Sequence, residues 1–243
     1  MKSLKSILEA SILADIDDQL ESGDEYIIEQ IAQFIEENYD GKVKISSDPN
    51  KDGKYEVSVE GNISVKNTKI ISLTNDYFVF TKAAGNFDCR NCYSLTSLKG
   101  APKEVKGYFN CWSCESLESL EGAPEKVGKN FFCSGCHSLT SLKGAPKKVR
   151  SIDCSVCRSL TSLEGAPKEV RVFDCNNCDS LTTLKGAPEI VDSDFFCSGC
   201  ANLISLEGAP KKVSGSFYCS NCKAHFTEAD IRKVSKVNCE IFC

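Results

Sequence analysis

Seven Cys-x-x-Cys pairs run along this chain, at Cys89/Cys92, Cys111/Cys114, Cys133/Cys136, Cys154/Cys157, Cys175/Cys178, Cys197/Cys200 and Cys219/Cys222. Two pairs brought together supply four sulfurs, a set that suits zinc or an iron–sulfur cluster once the thiols are deprotonated. The same residue is also a small apolar core filler with a weak S–H donor. A third use, the disulfide, belongs to oxidising compartments. Spacing and compartment separate these readings better than the total of 16 cysteines does.

The spacing is that of a repeat. Successive first cysteines lie 22, 22, 21, 21, 22 and 22 residues apart, and Gly-Ala-Pro recurs at the ends of six coils. One coil reads Val149-x-x-Ile152-x-Cys154-x-x-Cys157-x-x-Leu160-x-x-Leu163-x-Gly165-Ala166-Pro167. Ile152 and Cys154 alternate as inward residues of a strand. Leu160 and Leu163 fill the core from the returning arm, and Gly165 and Pro167 make the turn back. A coil this short cannot bury its apolar face alone, so neighbouring coils must stack on it. The residue after the second leucine alternates in sign: Lys99, Glu121, Lys143, Glu164, Lys185, Glu207. Stacking predicts opposite charges on both sides of each, at the ~4.8 Å spacing of paired strands.

This pattern fits the leucine-rich-repeat template, and it predicts an α+β fold: a solenoid with one parallel sheet of short strands, an N-terminal helical and β cap, and a C-terminal helical cap. The phrases SLTSLKGAPKEV, GNFDC and FTEADIRKV resemble the cysteine-containing, short leucine-rich repeats of tailed bacteriophages and prophages. That resemblance covers roughly residues 85 to 243. It implies the fold and a phage context, with a place in the virion or the host cytoplasm, and little about the task.

Four segments follow. Residues 1–41 read as helical, with Leu4, Ile7, Leu8, Ile12, Ile16 and Leu20 on one face and Ile27, Ile28, Ile31, Phe34 and Ile35 on a second. They serve either as a cap or as a docking element. Residues 42–84 read as a β-rich cap or degenerate coils, with a hairpin turn at 47–53. The solenoid of about seven coils takes 85–224. Residues 225–243 form the C-terminal cap, started by a capping-box-like Thr227-x-x-Asp230, with Cys239 and Cys243 outside the register.

Strand residues beside each first cysteine should face the concave surface. Among them Arg90, Trp112, Phe132, Asp153, Asp174, Phe196 and Tyr218 are the candidate contacts for a protein partner. Aromatic and arginine side chains are enriched among interface anchors. A net charge of -5 argues against nucleic acid, and no apolar run is long enough to span a bilayer. End-to-end self-association is open to any stack with a bare end. Catalysis has little support. His137 and His225 are the only histidines, no catalytic motif is present, and the carboxylates follow the stacking pattern. The expected task is non-enzymatic protein binding with no cofactor. The alternatives are a metal–thiolate protein holding zinc or iron–sulfur on the paired cysteines, or a purely structural virion component.

Overall fold

A computed structural model describes residues 43–47, 49–74 and 78–243. The helical segment expected over 1–41 lies outside the described residues.

Each coil contributes a short strand to one sheet. Ile63–Ser64, Phe87–Asp88, Phe109–Asn110, Asn130–Phe132, Ser151–Asp153, Val172–Asp174, Phe195–Phe196, Phe217–Tyr218 and Ile241–Phe242 form nine parallel strands, each beside its repeat neighbour. The register is strict, pairing Phe109 with Phe131, Phe131 with Ile152 and Ile152 with Phe173. Equivalent residues therefore stand over one another through about eight turns of a parallel β-solenoid. Neighbouring turns are joined by backbone bonds such as Cys111 N–H to Phe132 C=O at 2.8 Å.

The columns build the core. Phe87, Phe109 and Phe131 stack, with centroids 4.8 and 5.3 Å apart, and Phe173, Phe195 and Phe217 continue beyond Ile152. Behind them lie the two cysteine columns and the two leucine columns, all buried. One coil of the 42–84 segment takes its place here. Ile63, Val65, Ile70 and Leu73 are buried at the positions that Phe, Cys, Leu and Leu occupy later. At the return turn, Gly165 sits at φ +103°, where an added Cβ would meet the Leu142 carbonyl of the turn beneath. Only glycine takes that conformation without strain.

Three expectations need correction. First, the chain is predominantly β rather than α+β. The one helix among the described residues is the seven-residue Glu228–Val234. Its capping box is as expected: Thr227 accepts from the Asp230 N–H and Asp230 accepts from the Thr227 N–H. Yet it does not close the stack. The chain continues into Lys236–Val237 and Ile241–Phe242, and the second of these pairs with Phe217–Tyr218. The helix is a longer returning arm within one more turn. Cys243 therefore follows Phe242 in the same register as Cys219 follows Tyr218, not outside it.

Second, there is more than one sheet. The pair ending in valine after most Gly-Ala-Pro turns, as in Glu104–Val105 and Lys126–Val127, is itself a strand with valine inward. These strands form a five-stranded sheet, begun by the antiparallel pair Val43–Ile45 and Tyr55–Val59, and a separate four-stranded sheet. The break falls at Lys148, which makes only an isolated bridge to Lys126. In the five-stranded sheet these positions alternate as Lys82–Glu104–Lys126, while in the four-stranded sheet Lys212 stands opposite Lys236 without a break.

Third, the alternating charges after the second leucine do not form one continuous ladder. Among the described residues they resolve into separate pairs: Lys99–Glu121 at 3.5 Å, Lys143–Glu164 at 3.2 Å and Lys185–Glu207 at 3.0 Å. All six side chains are well exposed, so each pair contributes a few tenths of a kcal/mol at most.

Candidate functional site

The Cys-x-x-Cys turn has one geometry throughout. The residue before the second cysteine has φ between 54° and 71° at Asn91, Ser113, Gly135, Val156, Asn177, Gly199 and Asn221. That left-handed residue turns the chain so that the second thiol points back into the core. Asparagine and glycine suit the conformation, and their recurrence was a readable signal of it. A β-branched Val156 in that place is strained.

Every second-column thiol has a fixed partner. Cys114 donates to the Cys89 carbonyl at 3.2 Å, Cys136 to Cys111 at 3.3 Å, Cys157 to Cys133 at 3.1 Å and Cys178 to Cys154 at 3.2 Å. Cys200 and Cys222 continue the series with Cys175 and Cys197, and Cys92 begins it on Val65. The hydroxyl of Thr68 lies 3.4 Å from the Cys92 sulfur, capping that column. The thiol thus satisfies a buried carbonyl of the preceding turn, which would otherwise carry a desolvation cost. In the first column Cys111, Cys154 and Cys175 donate to Phe132, Asp174 and Phe196 carbonyls of the following turn.

Most of these thiols are pushed above their ordinary range by folding. Burial pushes Cys89, Cys111, Cys154, Cys175, Cys178 and Cys197 well above the usual thiol range. For Cys133 the adjacent Cys157 thiol is the larger cause and burial the next. Burial moves Cys200 and Cys219 up to about 12. A metal site needs thiolates with free lone pairs. Here the S–H groups of the second column, and of Cys111, Cys154 and Cys175 in the first, are committed to carbonyls. Among the described residues, no group of three or more His, Cys, Asp or Glu side chains is placed to hold an ion. The geometry gives the cysteines a structural use.

The outward residues of the nine-stranded sheet differ from one another. Phe132, Asp153, Asp174, Phe196 and Tyr218 occupy successive rungs of one column. Phe196, Tyr218 and Phe242 stack at 4.6 Å per step, and Phe132 meets Tyr108 edge-on at 6.1 Å. Stacking leaves Phe132, Phe196 and Tyr218 half-buried, while Phe242 is exposed. Trp112, outward on the far side of its cysteine, is 47% exposed. Arg90 turns back on the buried Asp88 at 3.4 Å, so its charge is spent within the sheet. His137 lies 3.1 Å from the Val156 carbonyl and His225 is exposed.

No protein family, curated protein or solved structure matches this chain. The resemblance to phage repeats accordingly rests on the repeat phrases alone, and the site must be read from its own geometry.

Asp153 and Asp174 stand side by side in register. Burial raises Asp174 to about 6, and the neighbouring Asp153 adds to the rise. A carboxyl whose pKa rises on folding favours the folded state only while protonated. Its contribution is whole below the unfolded value near ~4 and is lost as pH climbs through about 6. Asp174→Asn should therefore raise the thermal midpoint by a few degrees at pH 7.5 and leave it unmoved near pH 4. Equal shifts at both pH values would show that the charge is not the cause.

Among the described residues, no helix is long and apolar enough to cross a membrane.

Proposed function

We propose that the chain is a non-enzymatic scaffold that binds a protein partner on the outward face of its nine-stranded sheet. One observation carries this reading. The inward columns repeat almost without change from turn to turn, as Phe, Cys, Cys, Leu and Leu, while the outward column runs Asp88, Asn110, Phe132, Asp153, Asp174, Phe196, Tyr218. Folding demands the first set and tolerates wide variation in the second. A face free to vary that carries Trp112, Phe132, Phe196 and Tyr218 has the composition of an interface.

The finer identity belongs to the same proposal. The coil phrases support a leucine-rich-repeat type of solenoid encoded by a tailed phage and acting in the virion or on a host protein. The edge strand Ile241–Phe242 adds a surface on which a second copy could stack.

The test compares the chain and its Trp112→Ala/Phe132→Ala variant as baits, after circular dichroism shows the same fold. The expected result is one specific partner captured by the first and lost from the second. Undiminished capture by the variant would overturn the assignment of this face.

A further inference from the structure

The 21-residue spacings have a structural consequence. Between its inward valine and the inward residue of the next strand an ordinary coil spends three residues, as in Gly128-Lys129-Asn130 between Val127 and Phe131. The two short coils spend only two: Arg150-Ser151 between Val149 and Ile152, and Arg171-Val172 between Val170 and Phe173. Three residues return at Asp192-Ser193-Asp194. Two adjacent corners are therefore drawn in between fuller neighbours, and an open groove of ≈ 470 Å³ lies over them. The sheet break at Lys148 sits beside the first shortened corner.

The same two turns carry the groove's charges. Arg150 and Arg171 occupy the two corners, and Asp153 and Asp174 stand three residues further on, with Phe132 on the adjoining rung. Among the described residues no ion pair engages any of these four charged side chains. By contrast, the lysines and glutamates of the second sheet pair across their turns. Two carboxylates about 4.8 Å apart repel, and partial burial deprives them of solvent. Each aspartate also accepts the N–H two residues on, Asp153 from Ser155 at 3.0 Å and Asp174 from Asn176 at 2.9 Å, a bond the uncharged Asn110 makes equally well, so the two charges are not what that turn requires.

We propose that this groove binds an extended peptide segment carrying a basic side chain two residues from an acidic one. The proposal rests on the protein-binding reading and names the partner's chemistry. The cationic group lies over Asp153 and Asp174 with Phe132 beside it, a ring that favours a nearby cation. The acidic group reaches Arg150 and Arg171, whose planar guanidinium groups match a carboxylate. From corner to aspartate is three residues of chain, roughly 10 Å, and same-face side chains of an extended peptide are about 7 Å apart. Long side chains close that difference. A nucleic-acid backbone meets the aspartate pair, and a lone metal ion finds only two carboxylates, so neither satisfies both rows.

The probe is the peptide acetyl-Gly-Glu-Gly-Arg-Gly-amide, titrated into the full chain and followed by amide chemical shifts. Control peptides replace its Glu or its Arg with Gln. The expected result is binding confined to the groove, weakened at least about fivefold by either replacement. An Asp153→Asn/Asp174→Asn chain should bind about tenfold more weakly, and an Arg150→Gln/Arg171→Gln chain severalfold more weakly. No detectable binding, or equal affinity for the neutralised peptides or variant chains, would overturn the proposal. If the peptide binds as expected while the Trp112→Ala/Phe132→Ala bait keeps its partner, the groove stands and the broader face falls. If that bait loses its partner while the peptide fails to bind, only the groove is lost.

Discussion

Raising the pH of the reduced protein from about 8 to about 10 should unfold it cooperatively. Ten fully buried thiols have a pKa raised by folding: Cys89, Cys92, Cys111, Cys133, Cys136, Cys154, Cys175, Cys178, Cys197 and Cys200. Each favours the folded state fully below the unfolded thiol value of about 8.5, and loses that contribution as pH rises toward the folded value. Above the unfolded value only the unfolded chain releases its protons, at about 1.4 kcal/mol per thiol per pH unit. Ten thiols acting together amount to on the order of 10 kcal/mol within the first unit, comparable to the whole stability of a domain. Urea titrations followed by circular dichroism in the presence of reductant check this. A midpoint at pH 10 equal to that at pH 8 would mean that the thiols are solvated or already ionised. A metal–thiolate protein would differ in sign, because it is stabilised by deprotonation and weakened by acid.

Phe131→Ala should cost about 3–5 kcal/mol, whereas Phe132→Ala, one residue along, should cost no more than about 1 kcal/mol. Phe131 is fully buried and stacks on Phe109 at 5.3 Å. Removing it opens a cavity in a column that cannot collapse, because the turns are pinned above and below by backbone bonds. Phe132 lies on the other face, half-buried against Tyr108. Its loss is expected to appear in partner binding. Each turn contacts only its neighbours, so the Phe131 defect should also divide the stack and broaden the urea transition. Similar destabilisation by both substitutions would disprove the inward and outward assignment.

Sequence periodicity was enough to place the columns. The 21–22-residue spacing, the two inward cysteines and the two leucines determine which residues are buried, because a stack of identical turns has one way of covering its apolar face. Residues 42–84 read as either a β-rich cap or degenerate coils, and the stack is what sets Ile63, Ile70 and Leu73 in the columns; the capping box at Thr227 and Asp230 was legible. A strand of two residues is too short to show alternation, so the Val105 and Val127 column and its second sheet were not. The helix at 228–234 was visible, but its role was not. Whether a helix ends a stack or lengthens one arm depends on whether later residues find the register again, as Ile241 and Phe242 do.

Some decisions belong to the tertiary structure alone. Which acceptor each thiol takes depends on carbonyls some 25 residues away, as with Cys114 and Cys89. The groove is likewise a property of neighbours: one missing residue at a corner means nothing in a single coil and becomes a recess only between longer ones. Sequence specifies a turn through its own residues, but contacts between turns arise only when the stack sets them side by side.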